Sequence, residues 1–227
     1  MTREAIAERI IDIGILPVVR AASAAEAIAV GDALGDGGIR ALEITMTVPG
    51  ALQVIAEAVA RYGDQFLIGA GTVLDQEQAR ACIDAGARFV VAPIVDVATI
   101  AVCRRAGIPV LPGALTPTEV VQAWRAGADF VKVFPCSAVG GASYLKALKA
   151  PLPDIPLVPT GGVTLDTVGA FFAAGASAVG VGGDLCDLQA LRSGRRDQLV
   201  AAAHAYVSAV QAARAAQASR AAEGRPQ

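Results

Sequence analysis

The sequence is poor in the residues on which most catalytic and metal-binding schemes depend. It contains one histidine, His204, in an alanine-rich segment near the C-terminus. Its four cysteines lie far apart and form no CxxC pair, a pattern typical of small buried hydrophobic side chains. Histidine-based mechanisms and most zinc sites are therefore excluded. Any chemistry has to use carboxylate, amine, hydroxyl and backbone groups.

Excess charge of one sign and long apolar runs are also missing. The 227 residues carry a formal net charge of −2, so the chain offers no basic field for nucleic acid and no polybasic signal for a membrane. No stretch approaches the roughly 18 apolar residues of a membrane span, and the N-terminal segment lacks the continuous apolar part of a signal peptide. We therefore expect a cytoplasmic protein without a nucleic-acid or membrane partner.

One pattern recurs along the chain: an amphipathic segment, a glycine, and then a short strand rich in β-branched residues. Hydrophobic residues make up 54% of the sequence and charged residues 18%, which is enough for a large core. Three further strand patterns lie at 14–20, 65–71 and 155–162, which brings the total to eight strands. The glycines before the other five strands are Gly38, Gly86, Gly107, Gly127 and Gly175.

The helical segments between the strands have recognisable start signals. Ser23 with Glu26, and Thr116 with Glu119, fit the capping box at a helix N-terminus. Pro117 suits the first helical position, where a missing N–H costs nothing, and the glycine before each strand suits a left-handed helix end. Strands and helices therefore alternate along the whole chain.

Eight strand–helix units without a linker predict a single closed parallel (β/α)8 TIM barrel. A doubly wound open sheet is the alternative. We expect one domain over residues 1–220, in which an extra N-terminal helix over 2–13 covers one end of the barrel. Residues 221–227 are expected to form a frayed tail.

Two ionisable residues are predicted to point into the barrel. Side chains alternate along a strand, so Glu43 in "RALEIT" lies on the face opposite to Leu42 and Ile44. By the same parity, Lys132 in "FVKVF" lies opposite to its flanking valines. A buried salt bridge is a structural explanation, but such pairs are weak evidence for stability. Because barrel enzymes carry their chemistry at the carboxyl ends of strands, the functional explanation is favoured.

Paired glycines follow the last two strands. Gly161 and Gly162 come after the seventh strand, and Gly182 and Gly183 end the eighth. Bare backbone N–H groups at this position in (β/α)8 barrels often bind phosphate. Gly69 and Gly71, in "GAGTVLD", are interpreted as room for substrate beside the third strand.

The lysine and glutamate together suit Schiff-base chemistry. A lysine amine that attacks a keto group forms a carbinolamine, and loss of water from it gives an imine. Both steps need proton transfer, which one carboxyl group can provide. Burial favours the neutral amine whereas the nearby carboxylate favours the ammonium ion, so the two effects oppose each other. A sugar-phosphate isomerase or epimerase, with Lys132 as an acid or base, is an alternative, and a phosphometabolite-binding regulatory module is another.

The motifs of the chain resemble the 2-keto-3-deoxy-6-phosphogluconate (KDPG) aldolase family, which includes forms acting on 4-hydroxy-2-oxoglutarate. The resemblance implies a class I aldolase that releases pyruvate and glyceraldehyde 3-phosphate from a phosphorylated 2-keto acid, as a homotrimer, with no metal and no organic cofactor. The matching segments span nearly the whole domain in order: "PVVR" (17–20), "LEITMTVP" (42–49), "IGAGTVLD" (68–75), "APIVD" (92–96), "LPGALTPTE" (111–119), "FVKVFP" (130–135), "YLKALKAPLP" (144–153), "VPTGGV" (158–163) and "AVGVGGDL" (178–185).

The resemblance also assigns roles to single residues. It implies that Lys132 forms the Schiff base and that Glu43 is the general acid and base. Thr160 would contact substrate hydroxyls. Further assignments are Thr72, Pro93 and Phe134 to the pyruvate pocket and Gly161, Gly162, Gly182 and Gly183 to the phosphate.

Three positions bear on how the substrate is bound. Some relatives carry an arginine where this chain has Thr47, and Arg20 is the natural replacement, since a carboxylate prefers a bidentate cationic partner. Gly183 stands where some relatives offer a serine hydroxyl. Phosphogalactonate-specific relatives share the strand-1 arginine but tend to have a small aliphatic residue at the position of Thr160, which favours the gluconate substrate here.

Overall fold

The computed structural model describes residues 1–223, with side chains to residue 219. Two short 3-10 helices, Gly63–Gln65 and Cys136–Val139, supplement the regular elements. The strands are β1 (Ile15–Val19), β2 (Ala41–Thr45), β3 (Leu67–Gly71), β4 (Val90–Val91), β5 (Val110–Leu111), β6 (Gly113–Ala114), β7 (Val131–Val133), β8 (Leu157–Pro159) and β9 (Val179–Val181). The helices are α1 (Arg3–Ile13), α2 (Ala24–Asp36), α3 (Ala51–Tyr62), α4 (Gln76–Asp84), α5 (Val97–Arg105), α6 (Pro117–Arg125), α7 (Ala142–Lys149), α8 (Val168–Ala173), α9 (Leu188–Arg192) and α10 (Arg196–Glu223).

Every strand pairs in parallel with its neighbours, as the sequence pattern predicts. The strands form a six-stranded sheet in the order β5-β4-β3-β2-β1-β9 and a three-stranded sheet in the order β6-β7-β8. The predicted fifth strand is divided into β5 and β6 because Pro112 between them has no N–H to donate. Its carbonyl still accepts from the Lys132 N–H at 2.9 Å. Two isolated bridges, Leu157–Ala176 and Thr160–Gly180, lie between β8 and β9.

The architecture is thus a parallel α/β fold with a curled sheet. Continuous ladders cover the six and the three strands separately, so the fully closed barrel stays a prediction. In the described residues no helix is both long and apolar enough to span a membrane.

The two faces of the strands pack into separate apolar clusters, as the alternation predicts. Leu42, Ile44, Val131 and Val133 belong to the large cluster between the strands and the helices. A smaller cluster fills the interior at the N-terminal ends of the strands, where Phe130 lies on the same face as Lys132. The interior cluster consists of Ile6, Ile10, Leu16, Ala41, Leu67, Phe89, Val91, Leu111, Phe130, Val158 and Ala178.

Helix α1 covers the N-terminal end of the interior. Its Ile6 and Ile10 are at most 1% exposed and belong to the interior cluster. Arg3 anchors the start of the helix through an ion pair of 2.7 Å with Asp129, just before β7. The extra N-terminal helix is therefore confirmed. At the other end of the chain α10 runs to Glu223 and includes the first residues of the predicted tail 221–227, of which 224–227 lie outside the described residues.

The predicted helix caps are present with one difference. At α6 the Thr116 hydroxyl accepts from the Glu119 N–H at 3.3 Å and the Glu119 carboxylate accepts from the Thr116 N–H at 2.8 Å, a complete capping box. At α2 the Glu26 carboxylate reaches the N–H of Ala22 instead of that of Ser23. The five glycines before strands have φ between 68° and 100°, as left-handed helix ends require.

Candidate active site

Glu43 and Lys132 are the two buried charged side chains in the described part of the chain. Glu43 is 2% and Lys132 4% exposed, and both lie on the inner face, as parity predicts. Their strands, β2 and β7, are not neighbours in either sheet, so the side chains approach each other across the interior. The Lys132 charge lowers the pKa of Glu43, so the two groups interact electrostatically. They do not form a direct ion pair, which requires a nitrogen–oxygen distance of at most 4.0 Å.

The Lys132 amine lies beside an aromatic ring. Its Nζ is 5.0 Å from the ring centroid of Phe134, within the range of a cation–π contact. Phe134 is half-buried and follows β7 directly. The backbone of Lys132 is in register with Gly113 of β6 and Val158 of β8. The amine therefore projects from a strand that is paired on both sides.

The Glu43 carboxyl group is packed against backbone and lacks a hydrogen bond. A methyl group at Gly71 would lie 2.1 Å from Glu43 Oε1, so this position requires glycine. Oε1 is fully buried and has no hydrogen-bond partner in the described residues. Burial raises the pKa of Glu43, and the positive charges of Lys132 and Arg20 offset part of that rise. A carboxyl group in these surroundings is well suited to carry a proton near neutral pH.

The interpretation of Gly69 and Gly71 as room for substrate is wrong. The Phe89 ring occupies the space beside Gly69, where a methyl group would meet it at 2.3 Å, and Glu43 occupies the space beside Gly71. Both glycines make room for other side chains of the protein. The residue that follows, Thr72, is half-buried and has φ of 58°, a strained conformation for a β-branched side chain.

Two threonine hydroxyls extend the polar surface beyond Glu43. Thr45 is fully buried and donates to the Val19 carbonyl at 3.0 Å. Because its single proton is used there, the Thr47 hydroxyl, at 2.7 Å, donates to Thr45 Oγ1. Thr47 is exposed. Sequence reasoning missed Thr45, although it lies on the same face of β2 as Glu43, two residues further on.

Arg20 extends from the end of β1 toward the loop after β9. It is exposed, and a methyl group at Gly182 would lie 3.6 Å from its Nη1. Its positive charge lowers the pKa of Glu43, so the guanidinium group faces the site. Cys186, in the same loop as Gly182, is also near: burial and the Glu43 charge raise its pKa to about 12. No feature of the sequence indicated that Cys186 would lie beside Glu43.

Thr160 and Pro93 are each held by a close backbone contact. A methyl group at Gly180 would lie 2.3 Å from Thr160 Oγ1, so a glycine in β9 makes room for this hydroxyl. Thr160 is 6% exposed and directly follows β8, the strand that pairs with β7 beside Lys132. Pro93, which is half-buried, has its carbonyl group against Gly113, where a methyl group would approach to 2.4 Å.

The glycine pairs present free backbone donors. Within the described residues none of the N–H groups of Gly161, Gly162, Gly182 and Gly183 donates a hydrogen bond. Gly161 and Gly162 have φ of 88° and 76°, which side chains rarely adopt. The bridge between Thr160 and Gly180 places the two loops side by side. Adjacent backbone N–H groups without partners suit an anion such as a phosphate.

A family model described as KDPG and KHG aldolase matches residues 6–202. Among curated proteins, the chain is 38% identical over 198 residues to a 2-dehydro-3-deoxy-6-phosphogalactonate aldolase of Escherichia coli, covering 87% of this chain and 96% of that protein. It is 37% identical over 159 residues to a 2-dehydro-3-deoxy-phosphogluconate aldolase of Treponema pallidum, covering 70% of this chain and 75% of that protein.

A solved structure has a similar fold. It is a KDPG aldolase from Legionella pneumophila with pyruvate captured as a covalent carbinolamine intermediate. The TM-score is 0.81 at 26% identity, over 90% of this chain and 98% of the other.

Proposed function

The chain belongs to the KDPG and KHG aldolase family, and we propose that it is a class I aldolase that cleaves KDPG to pyruvate and glyceraldehyde 3-phosphate. Aldolases of this kind are carbon–carbon lyases. One observation carries the proposal. The two buried charged groups in the described residues are the amine of Lys132 and the carboxyl group of Glu43, and they interact electrostatically across the interior. Burying these groups costs stability that no direct ion pair between them offsets, so their presence favours a functional role.

The proposed reaction begins with attack of the neutral Lys132 amine on the C2 keto carbon. Glu43 supplies a proton to the departing oxygen, so that water leaves the carbinolamine and a cationic imine forms. The imine accepts the electron pair of the C3–C4 bond as it breaks, while the proton of the C4 hydroxyl passes to a base and the aldehyde leaves. The resulting enamine is protonated at C3, and water then releases pyruvate and the lysine. The carbinolamine in the Legionella pneumophila relative supports this route.

The polar groups around the amine match the ends of such a substrate. Arg20 offers a bidentate partner to the carboxylate, and the free N–H groups of the two glycine loops suit the phosphate. Thr160 contacts a substrate hydroxyl, and Thr72, Pro93 and Phe134 line the pocket of the pyruvate half. Thr47 lies at the end of the site that takes the substrate carboxylate.

A second candidate substrate is the galactonate epimer, 2-keto-3-deoxy-6-phosphogalactonate. The Escherichia coli relative, which is 38% identical over 96% of its length, carries that name, and Arg20 is in keeping with it. Thr160 favours the gluconate epimer. Values of kcat/KM for the two epimers and for 4-hydroxy-2-oxoglutarate would rank the three substrates.

Trapping the imine tests the chemistry. We expect borohydride with pyruvate to inactivate the enzyme and to add a reduced pyruvate adduct to Lys132, identified by peptide mass spectrometry. Lys149, a second lysine with a partly buried amine, serves as the internal control because its Nζ donates to the Pro153 and Ile155 carbonyls. Full activity of Lys132→Ala, or an isomerase activity without pyruvate release, would contradict the proposal.

We also infer that the two sheets form one barrel around this site and that the protein is a cytoplasmic homotrimer. The isolated bridges between β8 and β9 support closure. Large exposed apolar side chains on the β3–α4 and β4–α5 connections and at the start of α5 support association: Leu74, Ile94 and Val97 are 48%, 49% and 50% exposed. Light scattering on the purified protein would give the number of subunits.

A further inference from the structure

Asp184 and Tyr206 link the two glycine loops to the rest of the protein. Asp184 follows Gly183 in the loop after β9, and its Oδ2 accepts from the hydroxyl of Tyr206 on α10. The same oxygen accepts from the N–H of Leu165, at 3.3 Å, in the loop after β8. We propose that Asp184 and Tyr206 act as a clasp, a pair of positioning residues that holds the two loops at the separation required by the substrate phosphate. The inference rests on the proposed function.

Each glycine loop is already tied internally. The Gly182 carbonyl accepts from the N–H groups of Leu185 and Cys186, at 3.1 and 2.9 Å. In the other loop, the Thr167 hydroxyl donates to the Gly162 carbonyl at 3.2 Å. Each loop therefore has a defined shape of its own, and what remains to be set is the position of one loop relative to the other.

The bond from Leu165 N–H to Asp184 Oδ2 is the one side-chain hydrogen bond that joins these loops in the described residues. The nearest backbone link, the Thr160–Gly180 bridge, lies at the start of the loops, before either glycine pair is complete. A phosphate that takes N–H groups from both pairs needs their separation fixed within a fraction of an ångström. Leu165 N–H and Asp184 Oδ2 set that separation.

Tyr206 supplies a fixed reference point. Its side chain is 1% exposed within the large apolar cluster, so the ring cannot shift without disturbing the packing of α10. Burial and the neighbouring Asp184 carboxylate raise the pKa of Tyr206, so the hydroxyl keeps its proton and acts as the donor. Asp184 itself is exposed, and the buried hydroxyl gives this surface carboxylate one orientation.

The charge of the Asp184 carboxylate makes the clasp testable, because a clasp and a simple charge effect change the KM of a phosphorylated substrate in opposite directions. A negative charge beside a phosphate site opposes phosphate binding, so electrostatics alone predicts that removing Asp184 lowers the KM of a phosphorylated substrate. The clasp predicts the opposite, because the loops lose their fixed separation. Asp166 is the matched control: it lies in the loop after β8 and its charge also reaches Tyr206, but its side chain makes no hydrogen bond to the described residues.

The experiment follows condensation of pyruvate with D-glyceraldehyde 3-phosphate and with D-glyceraldehyde, which lacks the phosphate. We expect Tyr206→Phe and Asp184→Ala each to raise the KM of the phosphorylated aldehyde about tenfold, the loss expected for a hydrogen bond to a charged group. The kcat/KM of glyceraldehyde should stay within about a factor of two of wild type. Asp166→Ala should leave the KM of the phosphorylated aldehyde unchanged or lower it.

Each other result overturns the clasp. A lower KM in Asp184→Ala would mean that the carboxylate acts only through its charge, and an unchanged KM would mean that it does not position the loops. An equal loss with both aldehydes would mean a general structural role, which a matching fall in Tm would accompany. If Tyr206→Phe does not fold, the Asp184→Ala variant still tests the clasp, because Asp184 is exposed. A wild-type enzyme inactive with both aldehydes, and not labelled on Lys132 by pyruvate and borohydride, would remove the proposed function and the clasp together.

Discussion

The two ends of the interior carry different side chains on the same inner-facing rows. On β2 the row runs from Ala41 to Glu43 to Thr45, and along β7 it runs from Phe130, just before the strand, to Lys132. At the N-terminal end every position is apolar, and α1 adds two isoleucines from outside the sheet. Two residues further along each strand, a carboxyl group and an amine replace the apolar side chains.

The side chains that stabilise the fold and the side chains suited to catalysis therefore lie only two residues apart along the same strands. At the N-terminal end burial of apolar surface stabilises the fold without conflict. At the other end a carboxyl oxygen without a hydrogen bond and a buried amine cost stability, because neither charge is fully compensated. We therefore expect substitutions at the two ends to have opposite effects on rate and on stability.

The largest effect on rate is expected for Lys132. Lys132→Met keeps most of the side-chain volume and removes the nucleophile, so kcat/KM should fall by at least about 10⁴-fold. At a pH low enough for Glu43 to be protonated and to need no positive partner, the free energy of unfolding should stay the same or rise, since an apolar side chain replaces a buried charge. Steady-state kinetics and urea unfolding measure the two quantities. A clear loss of stability would contradict the comparison between the two ends.

Glu43→Gln is expected to slow the reaction by about 10²- to 10⁴-fold, the range for loss of a general acid and base. Burial raises the pKa of Glu43, so the folded state retains the proton to higher pH than the unfolded state does. The stability that this group contributes is complete below its unfolded pKa and is lost as pH rises through its folded pKa. Glu43→Gln cannot titrate, so its Tm should gain on that of wild type as pH rises through this window. A Tm difference independent of pH would contradict it.

Substitutions at the N-terminal end of the interior should lower stability and leave the rate nearly unchanged. Ile10→Ala, at a position that is 0% exposed, should cost about 2–5 kcal/mol of unfolding free energy by leaving a cavity. Because the site lies at the other end, kcat below the melting transition should remain close to that of wild type. Ile11→Ala is the matched control, since Ile11 is the next residue on α1 and is 41% exposed. A loss of kcat in Ile10→Ala with little loss of stability would show that the two ends are coupled.

The alternation of side chains made much of this comparison predictable from the sequence. A period of two assigns Glu43 and Lys132 to the face opposite to their apolar neighbours, whatever the rest of the fold does. Contacts between distant segments were not predictable in this way. The Asp184–Tyr206 bond depends on how α10 packs, and the division of the fifth strand depends on the register in which Pro112 lies. Nor does the sequence show that the space beside Gly69 is filled by Phe89, which lies just before β4.

Arg20 is exposed and lies at the edge of the end that carries Glu43 and Lys132, so its substitution is expected to have the smallest effect on the reaction. Arg20→Gln should raise the KM of pyruvate about tenfold by removing a charge-assisted bidentate contact, and Arg20→Lys should recover part of it. The exposed Arg105 on α5 is the control. Since the Arg20 charge lowers the pKa of Glu43, the limb of the pH–rate profile that reports Glu43 should also move to higher pH in Arg20→Gln. A higher KM without that movement would leave Arg20 as a substrate contact alone, whereas a shifted limb without a change in KM would mean that its charge acts only on Glu43.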